Sequence, residues 1–227
     1  MTIGVARDFG LYVITDPGLS RGHSHREVVE AAVRGGATVI QLRDKQASTL
    51  DIYRLAVDLR DVCHRAGALL IINDRVDVAI AANTDGVHLG QDDLPAPAAR
   101  KLLGPDKVLG VSVENPVHAI QAERDGADYV ALGPIYEARG SKSDAGPPVG
   151  PEAIAAIRKA TRLPVVAIGG IKHNHIAEVF LVGASGVAVI SAIVAADNIE
   201  RATHDMRELI DQARGSHARA TRSSSGG

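Results

Sequence analysis

The chain has 227 residues, of which 45% are hydrophobic and 23% are charged, and these globular values exclude wholesale disorder. The formal net charge is −2, with two Phe, four Tyr and no Trp. This composition gives neither an electrostatic nor a stacking reason to expect a nucleic acid partner. The single cysteine, Cys63, excludes a disulfide framework and a CxxC metal site, and we interpret it as a packing residue of a helix.

Apolar stretches in the sequence are short. Arg7 and Asp8 interrupt the N-terminal run before it reaches the length of a signal peptide. The longest stretch, residues 186–196, is too short to span a bilayer. We therefore expect no membrane association and a cytoplasmic location.

Alternating strands and helices are predicted along the chain, beginning with a Ser24 and Glu27 capping box at the first helix. Four Gly-Ala pairs each follow a helical pattern and precede a Val/Ile/Leu-rich run without polar alternation, which is typical of strands buried on both faces. The pairs are Gly36-Ala37, Gly67-Ala68, Gly126-Ala127 and Gly183-Ala184. The predicted strands are 11–14, 38–42, 69–72, 86–89, 107–111, 128–132, 164–168 and 187–190.

Eight such units in a chain of this length favour an α/β fold with a single (β/α)8 TIM barrel over a doubly wound sheet. We place the barrel domain at residues 1–213 and predict a disordered tail at 214–227, which ends in RSSSGG. A Gly/Pro/Ser-rich loop at 133–150 follows the sixth strand, and loops of this length are often functional lids.

Polar residues gather where the predicted strands end, which is the active-site face of this fold. Gln41, Arg43 and Lys45 alternate at the end of the second strand, so their side chains can face one region. An amide, a guanidinium and an ammonium together suit a polyanion such as a diphosphate. The alternative is a solvated strand end with incidental charges.

Oxygen ligands follow the next two strands. Asn73, Asp74 and Asp93 carry the hard donors that Mg²⁺ prefers when substrate phosphates complete its shell. Either aspartate alone is better explained as a helix cap, but the pair beside a cationic cluster favours a metal site.

A second anion site is predicted after the last two strands. Gly169-Gly170 leaves backbone N–H groups unobstructed, and Ser191 is predicted at the start of the last helix. In this fold these loops commonly bind a phosphate. The alternative for the glycines is a tight turn.

Several motifs occur in the order and spacing of thiamine phosphate synthases over roughly residues 11–195. They are LYVITD, QLRDK, INDR, GVHLGQDDL, the GP-to-SK loop and AIGGI. The chain therefore resembles this family. The resemblance implies an alkyl transferase that joins a hydroxymethylpyrimidine diphosphate to a thiazole phosphate and releases thiamine phosphate and diphosphate. Diphosphate departs first, and the thiazole nitrogen captures the resulting pyrimidine-methyl cation.

The resemblance also implies site residues. Gln41, Arg43 and Lys45 hold the diphosphate end with help from Asn73, and Ser112 contacts the pyrimidine substrate or the leaving diphosphate. Asp74 and Asp93 are the implied Mg²⁺ ligands, whereas Asp92 is the wrong neighbour for the family pattern. Gly170, Ile190 and Ser191 match thiazole-phosphate positions. Lys142 matches a loop lysine that stabilises the departing diphosphate, so Lys142, Arg43 and Lys45 are the expected catalytic residues.

The loop before Lys142 departs from the family pattern. Many members carry Pro-Thr-x-Thr-Lys, whereas this chain has Glu137-Ala138-Arg139-Gly140-Ser141-Lys142, with one extra residue. Ser141 can replace the second threonine hydroxyl, and Arg139 can supply an anion contact in place of the first.

Two alternatives are left open. A thiazole tautomerase of the same superfamily would need the thiazole-phosphate cradle but neither the cationic cluster nor the two aspartates. A non-catalytic barrel would bind a phosphorylated metabolite without turnover. We expect small-molecule substrates as partners, and a homo-oligomer is left open.

Overall fold

Eight parallel strands pair in sequence order and close into one barrel. The computed structural model describes residues 7–138 and 146–224, with side chains to residue 216. The strands are β1 (Leu11–Ile14), β2 (Val39–Leu42), β3 (Leu69–Asn73), β4 (Gly86–Leu89), β5 (Val108–Val113), β6 (Tyr129–Leu132), β7 (Val165–Ile168) and β8 (Gly186–Val189). The predicted (β/α)8 TIM barrel is confirmed.

Helices follow every strand and cover the outside of the barrel. They are α1 (His25–Arg34), α2 (Thr49–Arg65), α3 (Val76–Ala81), α4 (Ala96–Leu103), α5 (Pro116–Arg124), α6 (Glu152–Ala160), α7 (Ile176–Leu181), α8 (Ser191–Val194) and α9 (Ile199–Ser224), with one 3₁₀ turn at His173–His175. Across the described residues, none of these helices combines the length and the apolar character that a membrane span requires.

The strands are buried on both faces, which explains why their sequences do not alternate. Every residue of β1, β2, β6 and β8 is buried, because one face meets the barrel interior and the other meets a helix. Apart from Gln41 on β2, a shift of one residue would leave apolar side chains on either face of these strands. Register therefore depends on the turns that precede the strands.

The Gly-Ala pairs supply those turns. Each glycine has a positive φ, between +72° at Gly67 and +104° at Gly183. The N–H of the following alanine bonds five residues back, for example from Ala68 to the Cys63 carbonyl at 3.0 Å. This bond closes the last helical turn and starts the next strand at a fixed residue.

Side-chain caps fix the helix starts. The Ser24 hydroxyl accepts from the Glu27 N–H, and the Glu27 carboxylate accepts from the Ser24 N–H, which confirms the predicted capping box. Asn115 Oδ1 accepts from the His118 N–H at 3.0 Å, and Pro116 is the first residue of α5. These contacts set where each helix leaves the rim of the barrel.

The C-terminal segment differs from the predicted disorder beyond residue 213. Helix α9 continues to Ser224, and only residues 225–227 of the predicted tail lie outside the described part. Arg214 Nη1 donates to Asp8 Oδ1 at 2.7 Å, and Arg214 Nη2 donates to the Ser185 carbonyl at 2.6 Å. The Ser/Gly composition is confined to the last residues, whereas the Ala and Arg residues before it favour helix.

Cys63 is fully buried on α2, and burial raises the pKa of its thiol to about 12. We expect alkylation of the native protein at mildly alkaline pH to be at least about a hundredfold slower than alkylation of the unfolded chain, because the thiolate is the nucleophile. Since the unfolded pKa is about 8.5, the stability tied to this proton falls as pH rises from there towards the folded value. Mass spectrometry of timed alkylation checks the prediction, and equal native and unfolded rates would contradict it.

Candidate active site

The carboxyl ends of the strands surround a cavity of about 1010 Å³. Its lining includes strand residues such as Ile14 on β1, His88 on β4 and Ile168 on β7. The predicted site residues that line this cavity are Gln41, Arg43, Lys45, Asn73, Asp74, Asp93, Ser112, Gly170, Ile190 and Ser191. Arg139, Ser141 and Lys142 lie outside the described residues.

Arg43 is held in place by the end of β1. Its Nη1 donates to Asp16 Oδ2 at 2.8 Å, and the two side chains are only 10% and 13% exposed. The Arg43 N–H also donates to Thr15 Oγ1 at 3.0 Å. Asp16 therefore holds the guanidinium and Thr15 holds the backbone of Arg43, both from the segment that directly follows β1.

Asp44 fixes the turn that carries Lys45. Its Oδ1 accepts from the N–H groups of Gln46 and Ala47, and its Oδ2 lies 3.1 Å from His25 Nε2. Burial raises the pKa of Asp44, but the hydrogen bonds from His25 and the two N–H groups outweigh it and lower the pKa overall. The carboxylate stays ionised and holds the turn, while exposed Lys45 borders the cavity.

Asp74 has a left-handed backbone conformation, which is uncommon for residues other than glycine. Its φ is +62°, and its N–H donates to the His88 carbonyl at 2.9 Å. A non-glycine residue in this region costs roughly 1–2 kcal/mol. Such strain is characteristic of functional positions, and here it turns a carboxylate at the end of β3 onto the cavity wall.

Asp93 combines a turn contact with a place on the cavity wall. Its Oδ2 accepts from the Gly90 N–H at 2.6 Å, which closes the turn before it. Helix α4 is capped by Pro95 without a side-chain hydrogen bond, so Asp93 is not the helix cap that the sequence left open. Its carboxylate also lines the same cavity as Asp74. Within the described part of the chain, no group of three His, Cys, Asp or Glu side chains could hold a metal ion. A cation here would depend on ligands from substrate and water, which is the usual arrangement for Mg²⁺.

The opposite wall is built from backbone. Gly170 has φ +67°, and a Cβ atom there would lie 2.5 Å from the Glu137 carbonyl oxygen. The Tyr136 N–H donates to the Gly169 carbonyl at 3.0 Å, which joins the loop after β6 to the loop after β7. Ile190 and Ser191 line the cavity beside these loops.

Three comparisons identify the family. A family model described as thiamine monophosphate synthase matches residues 11–193. The chain belongs to this family. A thiamine-phosphate synthase of Chloroflexus aurantiacus is 53% identical over 92% of this chain and 96% of its own length. One from Moorella thermoacetica is 48% identical over 90% and 97%. The solved thiamine phosphate pyrophosphorylase from Pyrococcus furiosus superposes with a TM-score of 0.84, at 38% identity over 91% of this chain and 98% of that one.

Several residues in and beneath the site of this thiamine monophosphate synthase family member were not predicted from the sequence. Asp16 lies two residues after β1, at the same rim as the predicted residues, and the strand-end rule could have found it. Tyr12 and Tyr129 are 1% and 0% exposed beneath the cavity and lie in apolar strands that resemble plain core. His88 lies within β4, where its Nδ1 is 2.9 Å from Tyr129 Oη, and it also lines the cavity.

Replacing Gly170 with alanine should destabilise the protein by about 3 kcal/mol, because a left-handed φ and a clash with the β6 loop add together. Gly67→Ala is the matched control, since Gly67 has φ +72° with nothing within 4 Å of the added methyl group. Its expected cost is only about 1 kcal/mol. Denaturant unfolding of both variants measures the difference, and equal costs would refute the close approach at Gly170.

Proposed function

We propose that this chain is a thiamine-phosphate synthase that couples a hydroxymethylpyrimidine diphosphate with a thiazole phosphate, giving thiamine phosphate and diphosphate. One observation supports this proposal most strongly. In a chain 53% identical to a thiamine-phosphate synthase, Arg43, Lys45, Asp74 and Asp93 all line one cavity. The cavity of about 1010 Å³ is large enough for small phosphorylated substrates.

Arg43 and Lys45 act on the leaving group. As the bond between the pyrimidine methylene carbon and the diphosphate oxygen breaks, negative charge grows on the diphosphate and positive charge on the carbon. Cations held in place before the reaction stabilise this charge without reorganising. Asp16 is the positioning residue for Arg43, because it holds the guanidinium at 2.8 Å. The thiazole nitrogen then forms the new bond to the methylene carbon.

Asp74 and Asp93 are the residues that would hold Mg²⁺. Two carboxylates beside Arg43 and Lys45 fit a hard cation that takes its other ligands from water and a diphosphate. When bound, Mg²⁺ neutralises part of the charge on the leaving group. The fit rests on the donor set and its place on the cavity wall.

Gln41, Asn73 and Ser112 are assigned to the pyrimidine substrate. Gln41 is 3% exposed and lies two residues before Arg43 on the same face of β2, one strand repeat deeper in the barrel. Its Nε2 donates to Tyr12 Oη at 2.8 Å, away from the rim. We therefore revise the role given by the resemblance and place Gln41 beside the pyrimidine ring, with the diphosphate above it.

The second substrate is assigned to the opposite wall. Gly170, Ile190 and Ser191 form the proposed cradle for the thiazole phosphate, with Arg139 and Ser141 as further contacts from the loop after β6. Lys142 is proposed to reach the leaving diphosphate. These last three residues lie outside the described part, so their roles rest on the family pattern alone.

The test is a coupling assay with the purified protein, both substrates and Mg²⁺. We expect thiamine phosphate to form and the rate to fall sharply when the metal is chelated. A tautomerase would aromatise the thiazole tautomer without coupling, and a binding barrel would retain ligand without any product. Either result would reject the synthase. The cytoplasmic location and any homo-oligomer stay predictions.

A further inference from the structure

A chain of hydrogen bonds crosses the barrel interior beneath the proposed pyrimidine site. Gln41 Nε2 donates to Tyr12 Oη at 2.8 Å, and Tyr12 Oη lies 2.8 Å from Tyr129 Oη. Tyr129 Oη lies 2.9 Å from His88 Nδ1, and His88 Nε2 lies 3.0 Å from Ser112 Oγ. The chain thus begins and ends on side chains that line the cavity and passes through two that are fully buried.

The packing keeps these side chains in one arrangement. Tyr129 stacks on His88 with ring centroids 5.5 Å apart. A Cβ atom at Gly110 would lie 2.1 Å from Tyr129 Cζ, so glycine on β5 provides the space that the phenol ring occupies. Burial raises the pKa of both Tyr12 and Tyr129, so each phenol keeps its proton and can donate one hydrogen bond.

Counting protons gives the chain a direction. Tyr12 accepts from the Gln41 amide, so its own proton goes to Tyr129. Tyr129 then donates to His88 Nδ1, which leaves a neutral imidazole whose Nε2–H donates to Ser112. The Ser112 proton is then directed at the cavity, and Gln41 turns its carbonyl oxygen there. Reversing the direction requires the Gln41 amide to rotate, so the two ends always change together.

We propose that Tyr12, Tyr129 and His88 are positioning residues that fix Gln41 as an acceptor and Ser112 as a donor towards the pyrimidine ring. An aminopyrimidine edge carries the complementary pair, an amino group that donates and a ring nitrogen that accepts. The inference rests on the proposed function for the identity of the ring. A site built to hydrogen-bond such an edge discriminates strongly, because a mismatch leaves buried polar groups unpaired.

The test compares Tyr129→Phe, which removes the middle link with little change of shape, with Thr203→Val as control. Thr203 is fully buried on α9, and its hydroxyl donates only within that helix, to the Ile199 carbonyl at 2.7 Å. Calorimetry with each substrate separately, in the presence of Mg²⁺, gives Kd without turnover. We expect Tyr129→Phe to weaken pyrimidine diphosphate binding about tenfold, roughly one hydrogen bond, and to leave thiazole phosphate binding unchanged. Tyr12→Phe should act in the same direction.

A second readout does not depend on the reaction. Nitrogen NMR of the free protein should show His88 as the neutral Nε2–H tautomer, assigned by its disappearance in His88→Gln, and Tyr129→Phe should remove that preference. An Nδ1–H tautomer in the parent would overturn the proposal. The proposal would also be overturned if Tyr129→Phe lowered thermal stability, as we expect for Thr203→Val, but left both Kd values unchanged. Absence of thiamine phosphate in the coupling assay would reject the synthase but would leave the tautomer and the Kd values as tests of the network.

Discussion

Replacing Arg43 with glutamine is expected to lower kcat by about a hundredfold or more while the KM for the thiazole phosphate stays unchanged. The Arg43 side chain lies on the cavity wall, is 10% exposed and is held by Asp16 at 2.8 Å. A preorganised cation of this kind stabilises charge that appears on the diphosphate only as its bond breaks. Steady-state kinetics with each substrate varied in turn measure the effect.

The variant also removes the ion-pair partner of a mostly buried carboxylate, so a stability effect must be separated from the catalytic one. Combining Arg43→Gln with Asp16→Asn removes the unpaired charge and should restore thermal stability without restoring kcat. Arg26→Gln is the control, because Arg26 is an exposed arginine on α1 that pairs with Glu30 and Asp58. If Arg43→Gln alone folded and retained the parent kcat, Arg43 would have no role in the chemical step.

Asp93→Asn is expected to raise the Mg²⁺ concentration for half-maximal activity by about a hundredfold, equal to about 2.7 kcal/mol of binding free energy. Asparagine can still accept the hydrogen bond from the Gly90 N–H, so the turn stays intact while the negative charge is lost. The substitution therefore separates the contact with the Gly90 N–H from the proposed metal role. Activity titrated with Mg²⁺ measures the shift.

Asp92→Asn is the matched control, because it removes the same charge one residue earlier in the chain. We expect its Mg²⁺ titration to follow the parent, with thermal stability unchanged in both variants. If the Mg²⁺ titration of Asp93→Asn also matched that of the parent, Asp93 would only hold the turn at Gly90, without a role in metal binding.

The barrel could be predicted because its signals are local. A glycine after a helix takes a positive φ for reasons that lie within one turn of chain, and the four Gly-Ala pairs behave alike. Strands buried on both faces carry unbroken Val, Ile and Leu, which the sequence also displays. The end of the last helix was less predictable, since the contacts that hold Arg214 come from Asp8 at the other end of the chain.

The site could be predicted in part for a related reason. Residues at strand ends must share one rim once the strands close, so Gln41, Asp74 and Ser112 could be brought together without coordinates. The hydrogen bond between Tyr12 and Tyr129 joins residues 117 positions apart inside apolar strands, where nothing local separates a functional phenol from a core residue. The sequence left Asp93 compatible with a helix cap and with a metal ligand, and only the coordinates give its contact with the Gly90 N–H and its place on the cavity wall.

The central claim is that diphosphate leaves the pyrimidine methylene carbon and the thiazole nitrogen takes its place. A single-turnover experiment tests this claim most directly. The protein is mixed with Mg²⁺ and both substrates, and diphosphate and thiamine phosphate are quantified in the same quenched samples. We expect both products to accumulate in equal amounts, and the formation of both to slow together in Arg43→Gln. Diphosphate released without thiamine phosphate, or no release of either, would contradict it.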